Sequence, residues 1–270
     1  MKILSKAILV LIIVLLWGIK SQSFAEVILD KGKVKLSVKP GETVNGTITL
    51  SNSSATDIPL RAYFEDFVYI PPFDGGKKFL PVGSTEYSCG RWVSFSPQEF
   101  ILPALSKQEI NYVIKVPQGA LGGYYGVLFF EKSPKLAPQQ VGLGIVVRVG
   151  CLFFLETEDK VKKGALEDMS VEGNSIKGNF LNSGNTILVA SAVYYIMDEQ
   201  GMAIDRAETG KFYLPPKNKF PLKIPIPEKL PSGKYTVIWT FDLEEGDAQV
   251  KEIEFLKDQT GNSRILQIRD

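Results

Sequence analysis

The stretch Lys33–Asn52, KVKLSVKPGETVNGTITLSN, decides the fold. Val34, Leu36 and Val38 alternate with Lys33, Lys35 and Ser37. Pro40-Gly41 then turns the chain, and Val44, Gly46, Ile48 and Leu50 alternate with Asn45, Thr47 and Thr49. A period of two puts one row of side chains in a core and the other in water, the pattern of a half-buried strand. Working outward, Asn52–Asp57 is a turn cluster of Asn, Ser, Thr and Asp, and Ile58–Ile70 reads as a third strand. Pro71–Gly90 reads as a long irregular loop, of a length more often functional than filler. Strand patterns resume at Arg91–Phe95, Ile110–Val116, Tyr124–Glu131 and Val141–Leu155. About seven strands in roughly 130 residues is the spacing of a β-sandwich.

The second half repeats the grammar. Met169–Val171, Ile176–Leu181, Ile187–Met197, Phe212–Leu214, Phe220–Ile226, Gly233–Phe241 and Val250–Leu256 read as strands, with Pro221 and Pro225 marking Phe220–Ile226 as an edge. Each half carries an early Asn-Ser turn, at Asn52-Ser53 and Asn182-Ser183. Each also has a Pro followed by a Gly entry to a Tyr-bearing strand: Pro117 with Gly123-Tyr124, and Pro231 with Gly233 and Tyr235. At such corners the Gly turns the chain and the Tyr hydroxyl reaches nearby backbone. The expected architecture is therefore all-β: two immunoglobulin-like β-sandwich domains in tandem, residues 26–156 and 157–257, with a loose polar tail at 258–270.

Ahead of them stands a leader. Lys2 and Lys6 precede the apolar run Ala7–Ile19, and Ser23-Phe24-Ala25 offers small residues at a cleavage site before Glu26. The run is short for a membrane span, so residues 1–25 are expected to be a cleaved signal peptide, with an uncleaved anchor as the alternative and the only membrane contact. The expected location is periplasmic or otherwise extracytoplasmic. There, in an oxidising compartment, Cys89 and Cys151 either form a bridge or stay two thiols. The 31 basic and 30 acidic residues leave a net charge of +1, without the basic excess of a nucleic-acid binder. Histidine is absent, which removes the usual general base and the commonest metal ligand. No metal site and no cofactor are expected: the acidic turn Asp242–Asp247 lacks alternating ligands, and Gly122-Gly123 leads into no phosphate-binding helix. Glu65 and Asp66 are adjacent in a strand and point to opposite faces. Tyr125, Val127 and Phe129 share a face read as core, and the opposite row is a candidate binding surface.

The first domain resembles the N-terminal domain of periplasmic pilus-assembly (PapD-like) chaperones. The resemblance lies in Leu36–Asp66 with Pro40-Gly41 and Thr47–Asn52, and continues through Trp92–Pro97, Leu102-Pro103 and Val116-Pro117. The family's strand leading into a double proline is replaced here by Gly123–Phe130. Weaker similarity extends to envelope proteins of the WxL-interacting type, whose Ig-like domain is associated with wall binding. The chaperone resemblance implies that an exported client lacking a strand is completed by a strand of this chain, while paired cations in an interdomain cleft hold the client's C-terminal carboxylate. It assigns Arg148 to one cation, and Lys33 or Lys35 to the other. Val141, Leu143, Ile145 and Val147 alternate along the candidate donor edge, although an ordinary closing strand has the same pattern. The expected function is thus non-enzymatic: an exported, chaperone-like protein holding an extended segment of another exported protein. The alternative is a structural or adhesive module binding cell-wall polymer or a surface complex through Pro71–Gly90.

Overall fold

The computed structural model describes residues 26–132 and 146–269. The leader and the donor positions Val141, Leu143 and Ile145 lie outside the described residues. Those described contain no helix. The strands of the first half are β1 (Val27–Leu29), β2 (Lys33–Val38), β3 (Thr43–Asn52), β4 (Ile58–Tyr69), β5 (Lys77–Leu80), β6 (Val93–Ser96), β7 (Glu99–Leu102), β8 (Lys107–Lys115), β9 (Gly123–Lys132) and β10 (Arg148–Thr157). Those of the second half are β11 (Gly164–Val171), β12 (Ser175–Asn182), β13 (Leu188–Met197), β14 (Ala203–Glu208), β15 (Phe212–Leu214), β16 (Lys219–Pro225), β17 (Gly233–Leu243), β18 (Gln249–Lys257) and β19 (Ser263–Arg269).

They form two sandwiches. In the first, the sheet β1-β3-β8-β6 faces β2-β10-β9-β4-β5, with β7 beside β4. In the second, β11-β12-β16 faces β14-β13-β17-β18-β19, with β15 beside β13. The repeat seen in sequence is a repeat of topology. β4 pairs with β7 through its first residues and β5 through its last, as β13 pairs with β15 and β14.

The Asn-Ser turns share one device. Asn52 donates to the carbonyls of Thr56 (2.8 Å) and Leu102 (3.1 Å) and accepts from the amide of Ser54 (2.9 Å). Asn182 donates to the carbonyls of Thr186 and Leu214 (2.8 Å each) and accepts from Gly184 (2.9 Å). Each buried amide thereby staples a turn to a strand of the facing sheet, satisfying carbonyls that water cannot reach. The tyrosine corners are also present: Tyr124 accepts from the Leu121 amide, and Tyr235 donates to the Pro231 carbonyl.

Three expectations are corrected. Neither row of β9 is open. Leu128 and Phe130 enter the first core, while Tyr125, Val127 and Phe129 join one continuous cluster with the second sandwich. Pro71–Gly90 is not irregular throughout, since it folds back as β5 and is pinned by buried Asp66, which accepts from the amides of Gly83 and Thr85 and the hydroxyl of Ser88. The stretch 258–270 is not a loose tail. An Asp258 turn reverses the chain, and Ile265 and Ile268 then pair with Phe255 and Ile253 in β19. β14 gives no strand signal in the sequence because its two rows, Ala203, Asp205 and Ala207 on one side and Ile204, Arg206 and Glu208 on the other, carry no repeat of large apolar side chains; it is held instead by pairing to β13. Cys89 and Cys151 are two free, buried thiols.

Candidate functional site

Two features lie along β10. The first is an edge. β10 is antiparallel to β9 over its length but parallel to β2 only from Leu152 onward. The amide of Leu152 donates to Gly32 on the β2 side, whereas the carbonyl of Val147 accepts from Lys132 on the β9 side. Backbone direction alternates along a strand. The N–H and C=O of Arg148 and Gly150 therefore point away from β9, and among the described residues no strand pairs with them there. Side chains alternate too. Val149, Cys151, Phe153 and Leu155 face the first core. Val147 continues that inward row just beyond the strand, yet 58% of its surface is exposed.

The second feature is a cleft of about 430 Å³ between the sandwiches, lined by Lys33, Lys35, Lys77, Lys162 and Lys211 against the carboxylates Asp74, Glu156 and Glu244. Leu152 and Phe154 of β10 form part of its wall, and Tyr69 stacks on Tyr213 across it with ring centroids 4.9 Å apart. Lys35 and Lys162 bind Glu245, and Lys211 binds Glu244. Among the described residues, Lys33 and Lys77 have no carboxylate partner. Lys33 lies 5.6 Å from the Phe154 ring centroid, and Lys77 lies 4.7 Å from that of Tyr69. Burial lowers the Lys77 ammonium below its ordinary value, because the charged form lacks water there. Lys77 also donates to the Gly75 carbonyl (3.0 Å). An anion near either lysine would meet an ammonium that no carboxylate of the described residues pairs with.

The cleft is closed by a chain of hydrogen bonds joining the domains. The Ile187 amide donates to the Tyr125 hydroxyl (2.7 Å), and Thr186 donates to Glu156 (2.8 Å). Thr186 has one proton and gives it to a carboxylate, so the 2.7 Å contact between Tyr125 and Thr186 has Tyr125 as donor. Lys160 completes the chain on Glu156. Burial pushes the Glu156 carboxyl up, and the hydrogen bonds from Lys160 and Thr186 outweigh it, leaving the group below its ordinary value. The loop Pro71–Gly90 belongs to this junction: the Tyr213 amide donates to Phe73, and Glu86 pairs with Lys217.

No protein-family model and no curated relative matches the chain. Among solved structures, a chain from a chaperone–tip adhesin complex vital for synergistic activation of CFA/I fimbriae biogenesis aligns at 14% identity and TM-score 0.56, over 84% of this chain and 98% of that one. The class 5 fimbriae chaperone CfaA aligns at 14% identity and TM-score 0.54, over 83% of this chain and 98% of its own. This chain has the fimbrial-chaperone fold.

Within that fold the expected site residues fall in different places. Lys33 and Lys35 both line the cleft, but Lys35 is engaged by Glu245. Arg148 does not line it. It shares a strand face with Leu152 four residues away, roughly 13 Å along the strand, where it binds Glu65 and Tyr63. Val147 stands at the open edge. Sequence reasoning missed Lys77, whose signal was Asp74-Gly75-Gly76: a glycine turn after one strand and before Lys77–Leu80 marks a hairpin.

Proposed function

We propose that this chain is an exported, periplasmic chaperone-like protein that binds without catalysing, and that it completes an extended segment of another exported protein by pairing with β10. The observation that carries this is the open half of β10: among the described residues no strand pairs with the outward backbone of Arg148 and Gly150, and Val147 on the inward row is an exposed apolar side chain. An edge of this kind offers main-chain bonds for affinity, and alternate side chains for insertion between a client's sheets. The cleft adds polarity. A client strand on the open side lies in line with β2 and must stop where β2 begins, at Lys33 opposite Leu152. If it runs parallel to β10, its C-terminal carboxylate meets Lys33 and Lys77, which no carboxylate of the described residues pairs with. If it runs antiparallel, an ammonium meets ammonium groups. Electrostatics therefore selects the parallel client with a free carboxylate. The fold of the structural neighbours supports this reading. So does the engagement of Pro71–Gly90 at the domain junction, which occupies the loop that the wall-binding alternative requires.

The test uses soluble peptides copying C-terminal segments of exported proteins encoded beside this chain, each made as the free acid and as the amide. The acid is expected to bind at least tenfold more tightly, and Val147→Asp to abolish binding of both. Equal binding of acid and amide removes the cleft mechanism. Capture of purified wall polymer in place of every peptide favours the alternative.

A further inference from the structure

Arg148 is built into its sheet rather than aimed at the cleft. Its guanidinium carbon lies 3.9 Å from the Phe129 ring centroid and 5.2 Å from that of Phe79, and one nitrogen reaches the Tyr63 hydroxyl (3.0 Å) and the Glu65 carboxylate (3.1 Å). Tyr63 in turn donates to Glu131 at 2.6 Å. One side chain on β10 is thus tied to β4 through Glu65 and Tyr63, to β9 through Phe129 and to β5 through Phe79. Beneath Phe129 lies Gly150. A Cβ there would come within 2.8 Å of the Phe129 ring and 2.9 Å of Val127, so the ring rests directly on the backbone of the open edge. From the edge outward the order is Gly150 backbone, Phe129 ring, Arg148 guanidinium.

The stack stands where β10 most needs it. From Leu152 onward β10 has a neighbour on each side; from Arg148 to Cys151, among the described residues, it pairs with β9 alone. A strand held on one side frays readily, and a frayed edge must be reordered before it can template another strand. We infer that Arg148 is a positioning residue: its clamp on Phe129, Glu65 and Tyr63 holds the open half of β10 in strand geometry, ready to pair. This rests on the edge-pairing reading. A guanidinium can stack on a ring and bridge two oxygens at once, whereas an ammonium can do only one of these well, so lysine is a poor substitute.

The experiment is residue-resolved amide exchange on the purified full chain, with thermal unfolding alongside. Alternation places the Val149 and Cys151 amides on the β9 side, so they report whether the open half is held, while those of Phe153 and Leu155 report the two-sided half. Arg148→Ala is expected to speed exchange at Val149 and Cys151 about tenfold, leaving Phe153 and Leu155 unchanged. Arg148→Lys is expected to fall between it and the wild type, and Gly150→Ala to reproduce the effect by displacing Phe129. Unchanged exchange at Val149 and Cys151 in Arg148→Ala overturns the inference, and so does an equal rise at all four amides, which would mark general destabilisation. Binding of the free-acid peptides is measured on the same samples. Failure of the wild type to bind them rejects the edge-pairing reading, whereas faster exchange without weaker binding in Arg148→Ala rejects the positioning role alone.

Discussion

Replacing Tyr125 by Phe removes one oxygen from the junction between the sandwiches and nothing else. That oxygen accepts from the Ile187 amide and donates to Thr186, both at 2.7 Å, and Tyr125 is only 3% exposed. In Tyr125→Phe the Ile187 N–H is left buried without an acceptor, at a cost of about 1–3 kcal/mol, and the lost bond to Thr186 adds about 1 kcal/mol. Thr186 keeps its bond to Glu156, so the rest of the chain survives. The expected loss is about 2–4 kcal/mol, a fall in melting temperature of roughly 5–15 °C for a chain of this size. Urea unfolding followed by the fluorescence of Trp239 reads the second sandwich; Trp239 lies in the same core cluster as Tyr125. Combining Tyr125→Phe with Thr186→Val should show a coupling of about 1 kcal/mol, because the pair shares a hydrogen bond. A single-variant loss under about 0.5 kcal/mol, the range of a surface change, would mean that water already reaches the hydroxyl. The account of a closed junction would then be wrong.

Asn182→Asp should destabilise more than Asn182→Ala, because a carboxylate would face the carbonyls of Thr186 and Leu214 with no proton to offer; equal melting temperatures would refute the staple. Glu156 is held below its ordinary value of 4.5, so it contributes stability that is fully present above that pH and lost as pH falls through the folded-state value. Glu156→Gln should accordingly be less stable than wild type at neutral pH, with the gap closing in acid, and a gap constant with pH would contradict this. Burial pushes the Cys151 thiol up to about 11 and raises Cys89 further, so neither should react with a thiol reagent in the native protein and both should react in denaturant without reductant. Absence of reaction in denaturant would show a bridge.

The sequence was legible wherever one face of a strand meets water. Lys33–Val38 and Thr43–Asn52 alternate cleanly, and their boundaries follow from turn chemistry at Pro40-Gly41 and Asn52–Asp57. It was illegible where a second body covers the outer face. In β9 both rows are apolar: Tyr125, Val127 and Phe129 are core as their alternation implies, but they pack on the second sandwich, which sends the opposite row, Leu128 and Phe130, into the first core rather than to a surface. Strands held by pairing rather than burial, such as β14, carry no row of large apolar side chains to detect. At the site, the resemblance pointed to cations in the first strand, and Lys33 is there. The second cleft cation without a carboxylate partner among the described residues, Lys77, arrives from a hairpin far along the chain. Arg148 has the right residue type on the right strand, but the four residues separating it from the cleft wall change its role.

The second sandwich does more than wall the cleft. A lone first sandwich would expose Phe67, Tyr69, Tyr125, Val127 and Phe129 on the outer face of its β10-containing sheet. An apolar face of that size invites association with any partner. Covering it leaves the half of β10 ahead of Leu152, among the described residues, with an open backbone side but no exposed apolar sheet face behind it. The same covering serves the edge itself. Phe129 lies on Gly150 and belongs to the continuous cluster that runs into the second core, so the ring that seats the open strand is held from beyond its own domain. Loosening the junction at Tyr125 should therefore reach the edge through Val127 and Phe129, residues alternating along one strand face. The two domains thus act as one body: the second holds the Phe129 ring on which the half-paired strand of the first rests.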